Sequence, residues 1–174
     1  MSLSEGEFLM SSQRPPFPHH SPKTVCNDAM APLRVIVIQR GTPGAEAMHL
    51  PLFASRVPAG FPSPADDYVD QRLDLNTHLV EHPAATFFTR VSGHSMRGAG
   101  IHDGDLLIVD RALAPQDGRI VIAAVNGELT VKRLRLRKSG AWLVPEHPDY
   151  QPLRITEGLD CVIWGVVTRV IHAV

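Results

Sequence analysis

Downstream of residue 84, apolar and polar residues alternate in short runs. Thr86–Val91, Asp105–Asp110, Arg119–Val125, Glu128–Leu136, Trp142–Pro145 and Val162–Val170 each read as a strand, because a side-chain period of two gives one face to the core. The punctuation between them is glycine-rich: Gly93, Gly98, Gly100, Gly104, Gly118 and Asn126-Gly127. Asn-Gly between two β-rich runs predicts a tight hairpin. Upstream, Leu33–Ile38 reads as a strand followed by a turn at Gly41–Gly44, and Asp66–Glu81 carries weak helical spacing through Val69, Leu73 and Val80 before Pro83. Many short strands with almost no helical crossovers predict a mostly β fold of antiparallel sheets.

Proline divides the chain. Ten of the 15 prolines lie in the first 65 residues. Residues 1–30 combine proline with Ser, His and Gln and lack apolar periodicity, so they read as a mobile tail, with Met30 as an alternative initiator. Residues 51–65 are extended but carry apolar anchors at Leu52, Phe53, Val57 and Phe61.

Composition narrows the class. A chain of 174 residues is one domain with an arm, and a net charge of −1 removes the global basicity of a dedicated nucleic-acid binder. Hydrophobic residues make up 44% and charged residues 20%, which excludes wholesale disorder. Two separated cysteines, Cys26 and Cys161, indicate a reducing compartment. The longest apolar run, Cys161–Val167, is too short to span a bilayer, and no signal sequence is visible, so the expected location is the cytoplasm.

The most informative chemistry lies in Thr130–Arg137. Arg133, Arg135 and Arg137 share one strand face, while Lys132 shares the other with Leu134 and Leu136. A lysine on an apolar face loses hydration and its pKa falls, which makes its amine a general base. A strand-end lysine that snorkels its head to water would show the same spacing. Ser95 follows a strand in Val91-Ser92-Gly93-His94-Ser95-Met96-Arg97-Gly98, where glycines permit a sharp turn that exposes the hydroxyl beside free backbone N–H groups. A turn serine bonding its own backbone is the plainer alternative.

The motifs Gly60-Phe61-Pro62-Ser63-Pro64-Ala65, Ser92-Gly93-His94-Ser95-Met96, Asp103–Asp110, Gly118–Val125 and Thr130-Val131-Lys132-Arg133-Leu134 occur in one order. From about Phe53 to the C-terminus this resembles the UmuD and LexA family of self-cleaving serine–lysine proteins. The 37-residue step from Ser95 to Lys132 and the 36-residue step from Ala59 to Ser95 agree with it. The resemblance implies Ser95 as nucleophile, Lys132 as its base, the backbone N–H groups of His94 and Ser95 as oxyanion donors, and a scissile bond between Ala59 and Gly60. It implies a flexible tail and cleavable arm over 1–59, and a β-rich, partly barrel-like peptidase domain over 60–174. Further implications are a homodimer, stimulation by a RecA filament on single-stranded DNA, and a UmuC-type Y-family polymerase as partner in the SOS response. No metal or other cofactor is implied, and no sequence-specific nucleic-acid contact.

Other patterns are weaker. His78-Leu79-Val80-Glu81-His82 matches an inverted zinc-protease motif, but Pro83 ends any helix that could present both histidines. Gly93-His94-Ser95-Met96-Arg97 has Arg97 where a nucleophile elbow needs glycine. The basic run Lys132–Lys138 reads as a solvated strand face rather than a nucleic-acid patch. His94 is adjacent to Ser95 and directed away from it, so it is not a triad base. Cys161, Trp164 and Val166 read as core. Two rival functions are a LexA-type repressor, for which residues 1–50 lack a helix-turn-helix pattern, and a non-catalytic binding module.

Overall fold

The computed structural model describes residues 33–40, 49–53 and 69–174. Among the described residues ten strands carry the fold: β1 (Arg34–Arg40), β2 (His49–Phe53), β3 (Val69–Asp74), β4 (Thr86–Ser92), β5 (Leu106–Asp110), β6 (Ile120–Val125), β7 (Glu128–Arg137), β8 (Gly140–Val144), β9 (Leu153–Ile155) and β10 (Cys161–Ile171). β2 and β3 form a separate antiparallel pair. The other eight form one antiparallel sheet in the order β1-β4-β5-β10-β6-β7-β8-β9, and β1 also pairs with β7 through Arg34 and Thr130. That pairing closes six strands into a ring, with β8 and β9 as an outer extension.

The alternation in sequence becomes two cores. In β6, Val121 and Ala123 pack into one cluster with Leu134, Leu143 and Val166, while Ile122 faces the other with Leu107, Val109, Val131 and Trp164. Trp164 and Val166 reach different cores because the β10 register shifts between Ile163 and Gly165. A Cβ on Gly165 would lie 2.7 Å from Val109 Cγ1, so the close approach of β10 to β5 requires glycine there. Between β6 and β7, Asn126 and Gly127 both have positive φ (50° and 81°), the conformation of a primed hairpin turn.

One element differs from the sequence reading. Most of the helical spacing over 66–81 belongs to β3, and a single helical turn, α1 (Leu75–Leu79), follows it under an Asp74 cap that accepts from Asn76 N–H. Val69 and Leu73 are four apart, a spacing that a bulged strand also satisfies, and pairing with β2 decides between them. Cys161 is half-buried against the second core.

Candidate active site

β4 ends at Ser92, and Gly93 turns the chain with a φ of 110°. Its N–H donates to Asp103 Oδ1 over 2.8 Å, a bond that holds the Asp103 carboxyl below its ordinary pKa. Met96 then drops its side chain into the first core, and a 3-10 turn follows at Arg97–Ala99. A second segment braces the turn. Glu146 N–H donates to the Ser95 carbonyl over 2.8 Å, and the Glu146 carbonyl accepts from Gly98 N–H over 2.7 Å.

Ser95 is fully buried, which corrects the expectation of an exposed hydroxyl. Its Oγ accepts the Leu33 N–H over 3.0 Å and lies 3.0 Å from Lys132 Nζ. Among the described residues, neither the His94 nor the Ser95 N–H has an acceptor. His94 Nδ1 is buried and likewise has no hydrogen-bond partner among them.

Lys132 lies opposite Val121 in the β6–β7 ladder, two residues before buried Leu134. Besides Ser95, its Nζ reaches Thr130 Oγ1 at 2.9 Å and the Val131 carbonyl at 3.0 Å. None of these partners is a carboxylate, so no opposite charge in the set offsets the lost hydration of the ammonium. Burial therefore lowers the amine from 10.5 to about 8. Roughly a tenth of the molecules carry a neutral Lys132 at pH 7. An adjacent hydroxyl and amine with that titration have the chemistry a serine nucleophile and its general base require.

The basic run is only partly a solvated face. Arg133 is half-buried, ion-paired to Glu146 through Nε and bonded to the Gly118 carbonyl at 2.7 Å. Arg137 lies 3.4 Å from Asp117. The histidines of the zinc-like motif do not share a helix: α1 ends at Leu79, and His82 bonds Asp110 over 2.6 Å, which raises its imidazole pKa. A different trio, His102, Asp105 and His172, brings one ligand atom each within 4.8 Å of the others. Asp105 is already engaged by His172 Nδ1 at 2.6 Å and His102 N–H at 2.8 Å, and the trio acts as a clamp on the C-terminal end of β10. Ala59 and Gly60 lie outside the described residues.

Sequence reasoning missed four contributors: Leu33, Thr130, Arg133 and Glu146. Thr130 had a local signal, because residues two apart on a strand share a face with Lys132. Leu33 and Glu146 had none, since both reach Ser95 through main-chain bonds across long separations.

No helix of the described residues is long and apolar enough to cross a membrane. Residues 51–168 match the family described as Peptidase S24-like. Protein ImpA of Escherichia coli is 54% identical over 130 residues, covering 74% of this chain and 88% of ImpA. Protein MucA of Escherichia coli is 48% identical over 128 residues, covering 72% and 87%. The LexA repressor of Acidithiobacillus ferrooxidans is 40% identical over 147 residues, covering 79% and 71%. With that span of matched sequence, and a buried lysine beside a turn serine, the chain belongs to the peptidase S24-like family.

Proposed function

We propose that this protein is a self-cleaving serine peptidase in which Ser95 is the nucleophile and Lys132 its base, and that it cuts its own chain between Ala59 and Gly60. The observation that carries this reading is the 3.0 Å contact between Lys132 Nζ and Ser95 Oγ, made by an amine whose pKa is lowered to about 8. Neutral Nζ takes the Ser95 hydroxyl proton as Oγ bonds to the Ala59 carbonyl carbon. The N–H groups of His94 and Ser95 receive the resulting oxyanion. Lys132 then passes its proton to the Gly60 nitrogen as the peptide bond breaks, leaving Ala59 as an ester on Ser95. Water, deprotonated by the same amine, releases the acid. Because the bond is tethered, the effective concentration is high and a two-residue catalytic set suffices for one turnover.

Cleavage separates an arm, residues 1–59, from a peptidase domain, residues 60–174. Similarity to ImpA and MucA supports an SOS-response role of the UmuD kind. In that role the protein is a cytoplasmic homodimer whose cleavage is stimulated by RecA on single-stranded DNA and whose cut form serves a UmuC-type Y-family polymerase. Incubation with RecA, single-stranded DNA and a nucleotide, followed by intact-mass analysis, tests it. Fragments 1–59 and 60–174, absent from Ser95→Ala and Lys132→Ala, are the expected outcome; a chain that stays whole contradicts the proposal.

A further inference from the structure

Leu33 sits directly on the nucleophile. Its N–H donates to Ser95 Oγ over 3.0 Å, and its carbonyl accepts from Thr130 Oγ1 over 3.2 Å. The same Thr130 oxygen accepts from Lys132 Nζ, so Leu33, the residue just before β1, is bonded to Ser95 directly and to Lys132 through Thr130. The Leu33 side chain is fully buried in the first core, in a cluster that includes Val91, Met96 and Val131. The next residue, Arg34, is in register with Ser92 of β4 and Thr130 of β7.

A serine oxygen has two lone pairs, and here Lys132 and Leu33 approach both. Attack requires a carbonyl carbon within about 3–3.5 Å of Oγ. The Leu33 amide occupies that approach, and Ser95 has no exposed surface through which another peptide could enter. Ser95 is thus assembled for catalysis and closed to substrate at the same time.

We propose that β1, with Leu33 at its head, is a resident blocking strand: its first residues fill the gap between β4 and β7 beside Ser95 that the scissile segment must enter, and cleavage waits on its undocking. This rests on the self-cleavage reading above. β1 pairs β4 at six register positions but is lightly held elsewhere: it touches β7 at a single register pair, its ladder with β4 is broken by an irregularity between Val35 and Val37, and Ile36 and Val37 remain 58% and 45% exposed. A strand held this lightly on its β7 side can open below the free energy of global unfolding. An activator that binds the undocked form shifts the population without touching the dyad. Residues 33–40 also precede Ala59, so the first cut carries the blocking strand away with the arm.

The test uses the full chain with Val37→Cys and Arg90→Cys, positions in register across β1 and β4, in a Cys26→Ser, Cys161→Ala background. Oxidation locks β1 in place. A second variant, Leu33→Ala, loosens it while keeping the backbone N–H. Two rates are read by intact mass: labelling of Ser95 by a fluorophosphonate, and appearance of fragment 1–59. We expect oxidation to suppress both by about tenfold or more, reduction to restore them, and Leu33→Ala to raise both by about tenfold. Equal labelling in the oxidised, reduced and Leu33→Ala forms, whether fast or absent, overturns the blocking strand. Labelling that follows β1 while no form yields fragment 1–59 leaves the strand proposal standing and removes the self-cleavage reading.

Discussion

Glu146 grips Ser95 through the main chain, its N–H on the Ser95 carbonyl and its own carbonyl on the Gly98 amide three residues later. The oxygen of Ser95 is therefore positioned by a segment 51 residues downstream. Gly98 is required for this approach, because a Cβ there would lie 2.7 Å from the Glu146 carbonyl oxygen. Gly98→Ala must push the two segments apart. We expect a loss of about 1–3 kcal/mol in stability and a fall in self-cleavage of about tenfold or more, measured by denaturant melts and fragment mass on the same sample.

Arg133 holds the other end of that brace. Its guanidinium pairs with the Glu146 carboxylate and bonds the Gly118 carbonyl, in a partly desolvated position. Lysine lacks the fork needed to do both. Arg133→Lys should lower stability by about 1 kcal/mol and slow cleavage, whereas Arg135→Lys, on the same strand, should change neither. Parallel thermal melts and cleavage time courses separate the two.

Lys132 is held against its hydration preference. Its folded pKa lies below its unfolded value, so between about pH 8 and 10.5 the unfolded chain binds the extra proton. Stability contributed by this site consequently rises as pH increases through that window and is lowest below it. Lys132→Met removes the buried amine. Expected outcomes are complete loss of cleavage and a gain of about 2 kcal/mol at pH 7, shrinking as pH rises from about 8 to 10.5, in denaturant titrations across pH.

The C-terminal end of β10 depends on one buried carboxylate. Asp105 bonds His172 and the His102 amide at once, next to the loop whose Gly104 N–H returns to the Val91 carbonyl. His172→Ala should increase amide exchange at the end of β10 and in residues 101–105, and leave exchange in β6 and β7 unchanged.

Much of the fold was legible because it is local. The strands from Thr86 to Val170 follow from alternation, and the Asn126-Gly127 hairpin from the only residues that favour two successive positive φ values. Ser95 and Lys132 stood out by spacing and by a lysine on an apolar face. What escaped was non-local or too short to have a period. β9 spans three residues after Pro152, and ring closure rests on one Arg34–Thr130 pairing. The Asp66–Glu81 stretch misled because the partner that makes Val69–Asp74 a strand, β2, is a proline-containing segment. The Leu33 contact to the Ser95 hydroxyl could not be read at all, since the donor is a main-chain N–H, and any residue but proline supplies one.

The most direct measurement is the rate of self-cleavage as a function of pH, followed by intact mass from pH 6 to 10. A neutral Lys132 acting as the base predicts fragments 1–59 and 60–174 appearing with unit slope below pH 8 and a plateau above about pH 9, close to tenfold faster than at pH 7. A rate that stays level across that range, or fragments that persist in Ser95→Ala, would contradict the account.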